Sequence, residues 1–174
     1  MALSSLRLGA LFYALLLKDA GCSSSAARMT EVFGGADDLE LKRAAKLVDF
    51  SRTTATLRFV SDHTDSRGLR RTRDVIATAL ELARAGDEIV TSRCERGAAI
   101  VTRLGFPAAT AAAVHALDER WDGQGRPLGL TGHRIPVLAR IAAVAQHVDF
   151  FRAAAGVEAA RGMVRSRRGS WFDP

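Results

Sequence analysis

The chain is short of lysine, aromatic residues, cysteine and long uncharged apolar runs. Only Lys18, Lys42 and Lys46 are lysines among 25 basic residues; the rest are arginines. The arginines are scattered, apart from short clusters at Arg70, Arg71 and Arg73 and at Arg161, Arg165, Arg167 and Arg168. A net charge of +6 raises the question of a nucleic-acid or anionic-membrane partner. Scattered arginine beside abundant alanine reads instead as coding bias, and no RNP, zinc-finger or recognition-helix pattern accompanies it. Aromatics make up 6 % and β-branched runs are scarce, which favours helix over sheet.

Two cysteines, Cys22 and Cys94, make no disulfide framework and sit in no Cys/His cluster of zinc spacing. They are read as free thiols of a reduced, cytoplasmic protein. The longest apolar run, residues 8–17 after Arg7, is too short for a bilayer, which needs about 20 residues. Ala20-Gly21-Cys22 resembles a lipoprotein cleavage site, but Lys18 and Asp19 interrupt the region such a signal keeps uncharged. The run is therefore expected to be a buried helix, with no membrane partner.

Hydrophobic content of 48 % over 174 residues suits one globular domain, residues 1–174. Leu8, Phe12, Leu15 and Leu16 fall at helical spacing, so the first helix is expected over residues 3–18. Ser23 to Ser25 offer caps for a second helix through Phe33, ended by Gly34-Gly35, and Asp37 or Asp38 caps a third over 39–47. Residues 53–60 read as helix or strand, and 62–68 as an exposed loop carrying His63. A helix over 69–85 is expected to stop at Gly86, with Asp87 capping another that runs to Leu104. Gly105-Phe106-Pro107 forms a corner before a helix over 108–120. The glycine-rich stretch 121–132 must be a structured loop; helices follow over 135–151 and 157–167, ended by Gly169. An all-α chain follows from this pattern.

Glu119-Arg120-Trp121-Asp122-Gly123-Gln124-Gly125-Arg126-Pro127, then Gly129-Leu130, Gly132, Ile135-Pro136 and Leu138 to Ile141, resemble the signature region of the HD-GYP family. Leu15 to Gly21 is similar to that family's L-L-H-D-I-G, Gly97-Ala98 to Leu104-Gly105 to the segment after its next histidine, and Gly169 with Phe172-Asp173-Pro174 to its closing G-x-x-F-D-P. The resemblance implies an HD-domain-like helical bundle, here truncated at both ends, and a phosphodiesterase acting on cyclic di-GMP or a related phosphoester. In that chemistry His and carboxylate ligands from several helices hold two or three metal ions, Fe or Mn, that activate water.

Carried over residue by residue, most of the ligand positions differ. The tandem His-Asp becomes Lys18-Asp19, a later histidine becomes Arg93, the paired histidines before Glu119 become Leu117 and Asp118, and an aspartate of the late helix becomes Gln146. The tyrosine of G-Y-P becomes Arg126, and the family's R-P-Y-R segment is replaced by Phe150, Phe151, Arg152 and Ala153. A remnant pocket of Lys18, Asp19, Arg93, Asp118, Glu119 and Gln146 is expected, with a salt-bridge network in the old metal cavity. No metal is expected there; if one binds, its ligands are Asp19 and Asp118. His63, His115, His133 and His147 are not read as ligands. Trp121, Asp122, Gly123, Gly125 and Pro127 are expected to shape the loop, with Asp122 bracing its turn and Trp121 plugging the core.

The reading that follows is a degenerate signalling or regulatory domain without phosphodiesterase activity or cofactor. Its partner would be a cyclic dinucleotide, a protein or a second copy. The alternative is an active metal-dependent phosphodiesterase. Some relatives with this altered pattern are fused to LuxR-type helix-turn-helix modules, so nucleic acid would be reached only through such a module, absent from these residues.

Overall fold

Ser4 opens the first helix by accepting a hydrogen bond from the Arg7 amide, which satisfies one of the amides a helix start leaves unpaired. In the computed structural model this helix, α1, spans Ser5–Leu17. The structure describes residues 3–23, 41, 44, 45, 47–50, 52–63 and 70–174. The expected helix after Ser23 lies outside the described residues, as do five of the nine residues of the one over 39–47. The later helices are α2 (Thr53–His63), α3 (Arg70–Arg103), α4 (Ala108–His115) and α5 (Val137–Arg167), with a 3-10 turn at Gly132–Arg134. Among the described residues there is no strand, only an isolated bridge between Arg168 and Phe172. The fold is all-α, and no described helix is long and apolar enough to cross a membrane.

Three expectations are corrected, and the open helix-or-strand reading of 53–60 resolves as helix. Residues 53–60 are helical, with His63 closing α2 rather than sitting in a loop; its Nδ1 lies 2.8 Å from the Phe59 carbonyl. Helix α3 runs through Gly86 without a break, because a helical glycine costs only about 1 kcal/mol and a long helix absorbs it. Helix α4 stops at His115 rather than continuing to Arg120, since Ala116 leaves the helical region and the Asp118 carbonyl is engaged by the Arg126 amide at 3.2 Å. The two late helices are distinct, as expected: they meet at a kink at Gly156, whose φ of 84° and ψ of 179° are non-helical, and are labelled together as α5.

The chain divides into two compact units, residues 25–89 and residues 1–24 with 90–174. In the first, Leu41, Phe59, Val60 and Ala85 form a buried cluster, with Phe50 edge-on to Phe59. In the second, Ala10, Ala14, Val101, Ala113, Val114 and Leu138 join α1, α4, the end of α3 and the start of α5. Small residues in α1 and α4 let the helices approach closely, and Thr110 reaches across to the Ala10 carbonyl at 3.3 Å.

Two close approaches fix the second unit. The backbone of Gly21, just past α1, lies against α3 so tightly that a Cβ there would sit 2.0 Å from the Arg93 carbonyl oxygen. Gly125 is equally confined: its Cβ would meet the Arg120 nitrogen at 2.2 Å. Around it, the loop 121–132 is tied down by polar contacts. Both carboxylate oxygens of buried Glu119 accept backbone amides, from Leu128 at 2.5 Å and Leu130 at 2.8 Å. Asp122 accepts from the Gln124 amide and pairs with Arg120 at 2.7 Å. The closing tail docks on the loop through the Trp121 amide to the Trp171 carbonyl and the Asp122 amide to the Ser170 carbonyl. The guanidinium groups of Arg120 and Arg167 lie 4.5 and 4.0 Å from the Trp171 ring.

Gly21→Ala is expected to lower stability by about 2–4 kcal/mol in urea denaturation, because two backbones cannot separate without disturbing α1 and α3. Gly9→Ala, with open space at its Cβ, should be neutral or stabilising by up to about 1 kcal/mol. Glu119→Gln should cost about 1–3 kcal/mol in the same assay, because an amide NH2 then faces a backbone N–H.

Candidate functional site

The close packing of Gly21 on α3 brings the end of α1 beside Arg93, and the turn after α4 brings Asp118 to the Arg93 side chain. Four of the expected pocket residues form two ion pairs there. Lys18 pairs with Asp19, and Arg93 pairs with Asp118. The Arg93–Asp118 pair is mostly buried, at 15 % and 16 % side-chain exposure; Asp19 is half exposed. The Lys18 ammonium also lies 5.7 Å from the Phe150 ring centroid on α5. Salt bridges thus stand at positions where the family resemblance leads one to expect metal ligands.

The two free thiols belong to the same arrangement. Cys94, buried on α3 next to Arg93, lies 3.4 Å from Oδ2 of Asp118, and Cys22 lies 3.6 Å from Oδ1 of Asp19. Sequence reasoning missed both. The signal was present in the spacing, because Cys22 follows Asp19 by three residues and Cys94 adjoins Arg93.

Gln146 occupies the α5 position where the resemblance places an aspartate. It is 3 % exposed, and neither its Nε2 nor its Oε1 has a hydrogen-bond partner. Phe150 follows it by one helical turn on the same face, so Gln146 sits on the stripe that meets the end of α1. Leu117, at a histidine position, is 3 % exposed and apolar.

Glu119 does not share in this cluster's charge. Both its oxygens are taken by the loop amides, so it is a clamp rather than a pocket group. Trp121 is not a core plug either: it is partly exposed, edge-on to His133 at 5.0 Å and 5.6 Å from the Arg140 guanidinium. Gly123 adopts φ 81°, and Pro127 follows Arg126 through a cis peptide. Arg126, at the tyrosine position, turns its Nη1 back onto the Gly125 carbonyl at 2.9 Å.

The histidines lie elsewhere. His147 is buried against Trp171 and Phe172 and donates from Nδ1 to the Ala143 carbonyl at 2.8 Å. His133 is exposed beside Arg140, and His63 stacks on Phe59 at 4.5 Å. His115 closes α4 with its Nε2 buried and without a partner.

The donor set does not fit a divalent metal. Each surviving carboxylate, Asp19 and Asp118, is already bonded to a cation, and the amide of Gln146 is a poor ligand for Fe or Mn. A divalent ion about 5 Å from the Arg93 guanidinium would be repelled by on the order of 6 kcal/mol at an effective dielectric of about 20. Among the described residues no group of three or more His, Cys, Asp or Glu is placed to share an ion.

Comparison with known proteins bears on this geometry. The chain is 40 % identical along its whole length to a 3'3'-cGAMP-specific phosphodiesterase of Vibrio cholerae, of which it spans 38 %. A shorter stretch, 62 residues, is 40 % identical to a probable cyclic di-GMP phosphodiesterase of the same organism, covering 32 % of this chain and 14 % of that protein. The crystal structure of a cyclic GMP-AMP-specific phosphodiesterase from V. cholerae superposes on 99 % of the chain and 37 % of its own length, with a TM-score of 0.64 and 35 % identity. The chain thus spans about two fifths of the relatives it matches from end to end. Residues 60–174 match the HD domain family, and this chain belongs to it.

Proposed function

We propose that this chain is a module of a cyclic-dinucleotide phosphodiesterase, residues 1–174 acting together on a ligand of the 3',3'-cyclic GMP-AMP class in the cytoplasm. The observation that carries the reading is the 40 % identity extending over the entire chain to a phosphodiesterase of that specificity. Identity of that extent supports shared helix packing and a shared loop 121–132. Within that activity we assign this cavity a binding and regulatory part rather than the cleavage step. The support is electrostatic: Arg93 and Lys18 hold the carboxylates that would otherwise hold metal.

A second reading, cleavage by this chain itself with Fe or Mn, is favoured by the same identity and by the survival of Asp19 and Asp118. It requires Arg93 and Lys18 to swing away from their partners, at a cost that metal binding must exceed.

Purified protein loaded anaerobically with Fe(II) or Mn(II) and desalted should carry well under one ion per chain. It should leave 3',3'-cyclic GMP-AMP and cyclic di-GMP intact by chromatography. Two bound ions per chain together with linear dinucleotide product would establish the second reading in place of the first. Lys18→His with Arg93→His, which restores imidazole at both positions, should raise the retained metal several-fold.

A further inference from the structure

We propose that the exposed face of α1 is the contact surface between two copies of this chain, paired about a two-fold axis. The inference is independent of the proposed function and follows from where α1 places its apolar side chains.

The apolar run at residues 8–17 was expected to be a buried helix, and it is buried along one side only. Ala10 and Ala14 enter the core with Val101, Val114 and Leu138. A helix turns about 100° per residue, so Leu8, Phe12 and Leu16 fall on the opposite side. Phe12 is 62 % exposed, Leu16 66 %, and Leu6, near the start of the helix, 88 %. A helix that is apolar on both sides is ordinarily covered on both.

The patch does not end with the helix. The Phe12 and Tyr13 rings meet edge to face at 5.3 Å, and Tyr13 lies 4.8 Å from Phe106 at the corner between α3 and α4. Leu104, two residues before Phe106, is 62 % exposed. Aromatic side chains bring about 150–250 Å² apiece. With the leucines, the exposed apolar area is on the order of 600 Å², the upper end of what a single chain leaves open. Two such patches face to face bury on the order of 1,200 Å², the lower bound of a specific interface and enough for a reversible dimer.

The chemistry of the patch selects its own copy. From Leu8 to Leu17, α1 carries no charged residue, and its one polar side-chain group is the Tyr13 hydroxyl. Identical faces therefore meet without like-charge repulsion despite the net charge of +6, whereas a charged partner would find nothing to pair with. Gly9 lies on the same side, with no heavy atom within 4 Å of where its Cβ would stand. A glycine there lets two helix axes approach closely at their crossing, so that the leucine and aromatic side chains around it interdigitate. Leu16 stands two residues before Lys18, so pairing through it sets the Lys18–Asp19 pair of each copy at the rim of the interface.

Sedimentation equilibrium of the full 174-residue chain, from nanomolar to high micromolar concentration, reads the association directly. A reversible monomer–dimer equilibrium is expected. Phe12→Glu and, from a different element, Leu104→Glu should each raise the dissociation constant at least about tenfold. Circular dichroism of both should match the parent, since each side chain is mostly exposed. Val157→Glu, at a similarly exposed apolar position on α5, should leave the association unchanged. A chain that stays monomeric throughout, or a dimer that Phe12→Glu leaves intact, would overturn the proposal. So would association that continues past two copies. Flotation of the monomer with vesicles of phosphatidylcholine and phosphatidylglycerol, lost in Phe12→Glu, would assign the face to a lipid surface instead and overturn it equally.

Discussion

The contact on which the candidate site depends is the approach of the Gly21 backbone to the Arg93 carbonyl. It allows no side chain, so the end of α1 meets α3 backbone to backbone, and Gly97 one turn further along α3 is packed against Val114 of α4. Three helices are thereby held within side-chain reach of one another at a single level. Lys18, Asp19, Arg93 and Asp118 project at that level, and their pairing follows from the packing. A bulkier residue at position 21 would move the charges apart before it changed any of them.

Given that proximity, the charges themselves decide the chemistry. Mostly buried Arg93 facing Asp118 is a poor source of net stability, because desolvation offsets much of the attraction, but removing either partner alone strands a charge. The pair is therefore stable as a unit and resists being opened for a metal. The glycine loop beyond Asp118 supports the arrangement without joining it, its position fixed by the Glu119 carboxylate and by the docking of Ser170 and Trp171.

Much of this was legible in the sequence, for reasons that differ element by element. Helix α1 was legible through apolar spacing, and Pro107 marked the start of α4 within a residue. The HD-type fold was legible because glycines and prolines in the signature loop occur in a fixed order that few other architectures require. The continuity of α3 through Gly86 was not legible, since a glycine followed by aspartate looks the same at a break as inside a long helix. Positions 18, 19, 93 and 118 were read as one pocket from the resemblance, and the structure joins them as two ion pairs. Glu119 and Trp121 were misplaced because neighbouring residues on a turn point in different directions. Sequence adjacency to Asp118 carried no information about where the Glu119 oxygens go. The thiol contacts left only a weak signal, a short spacing that gains meaning once the backbone is known.

Both tryptophans of the chain lie in the unit formed by residues 1–24 and 90–174, and each has a guanidinium within 6 Å of its ring. Indole emission therefore originates from that unit alone, and residues 25–89 are silent in it. Trp171 is flanked by Arg120 and Arg167, so release of the closing tail would change its surroundings from stacked cations to water. The chain thus carries its own optical reporter for the unit that holds the two ion pairs, while circular dichroism sums both units. A divergence between the two signals on heating would reveal whether the units melt together or in sequence.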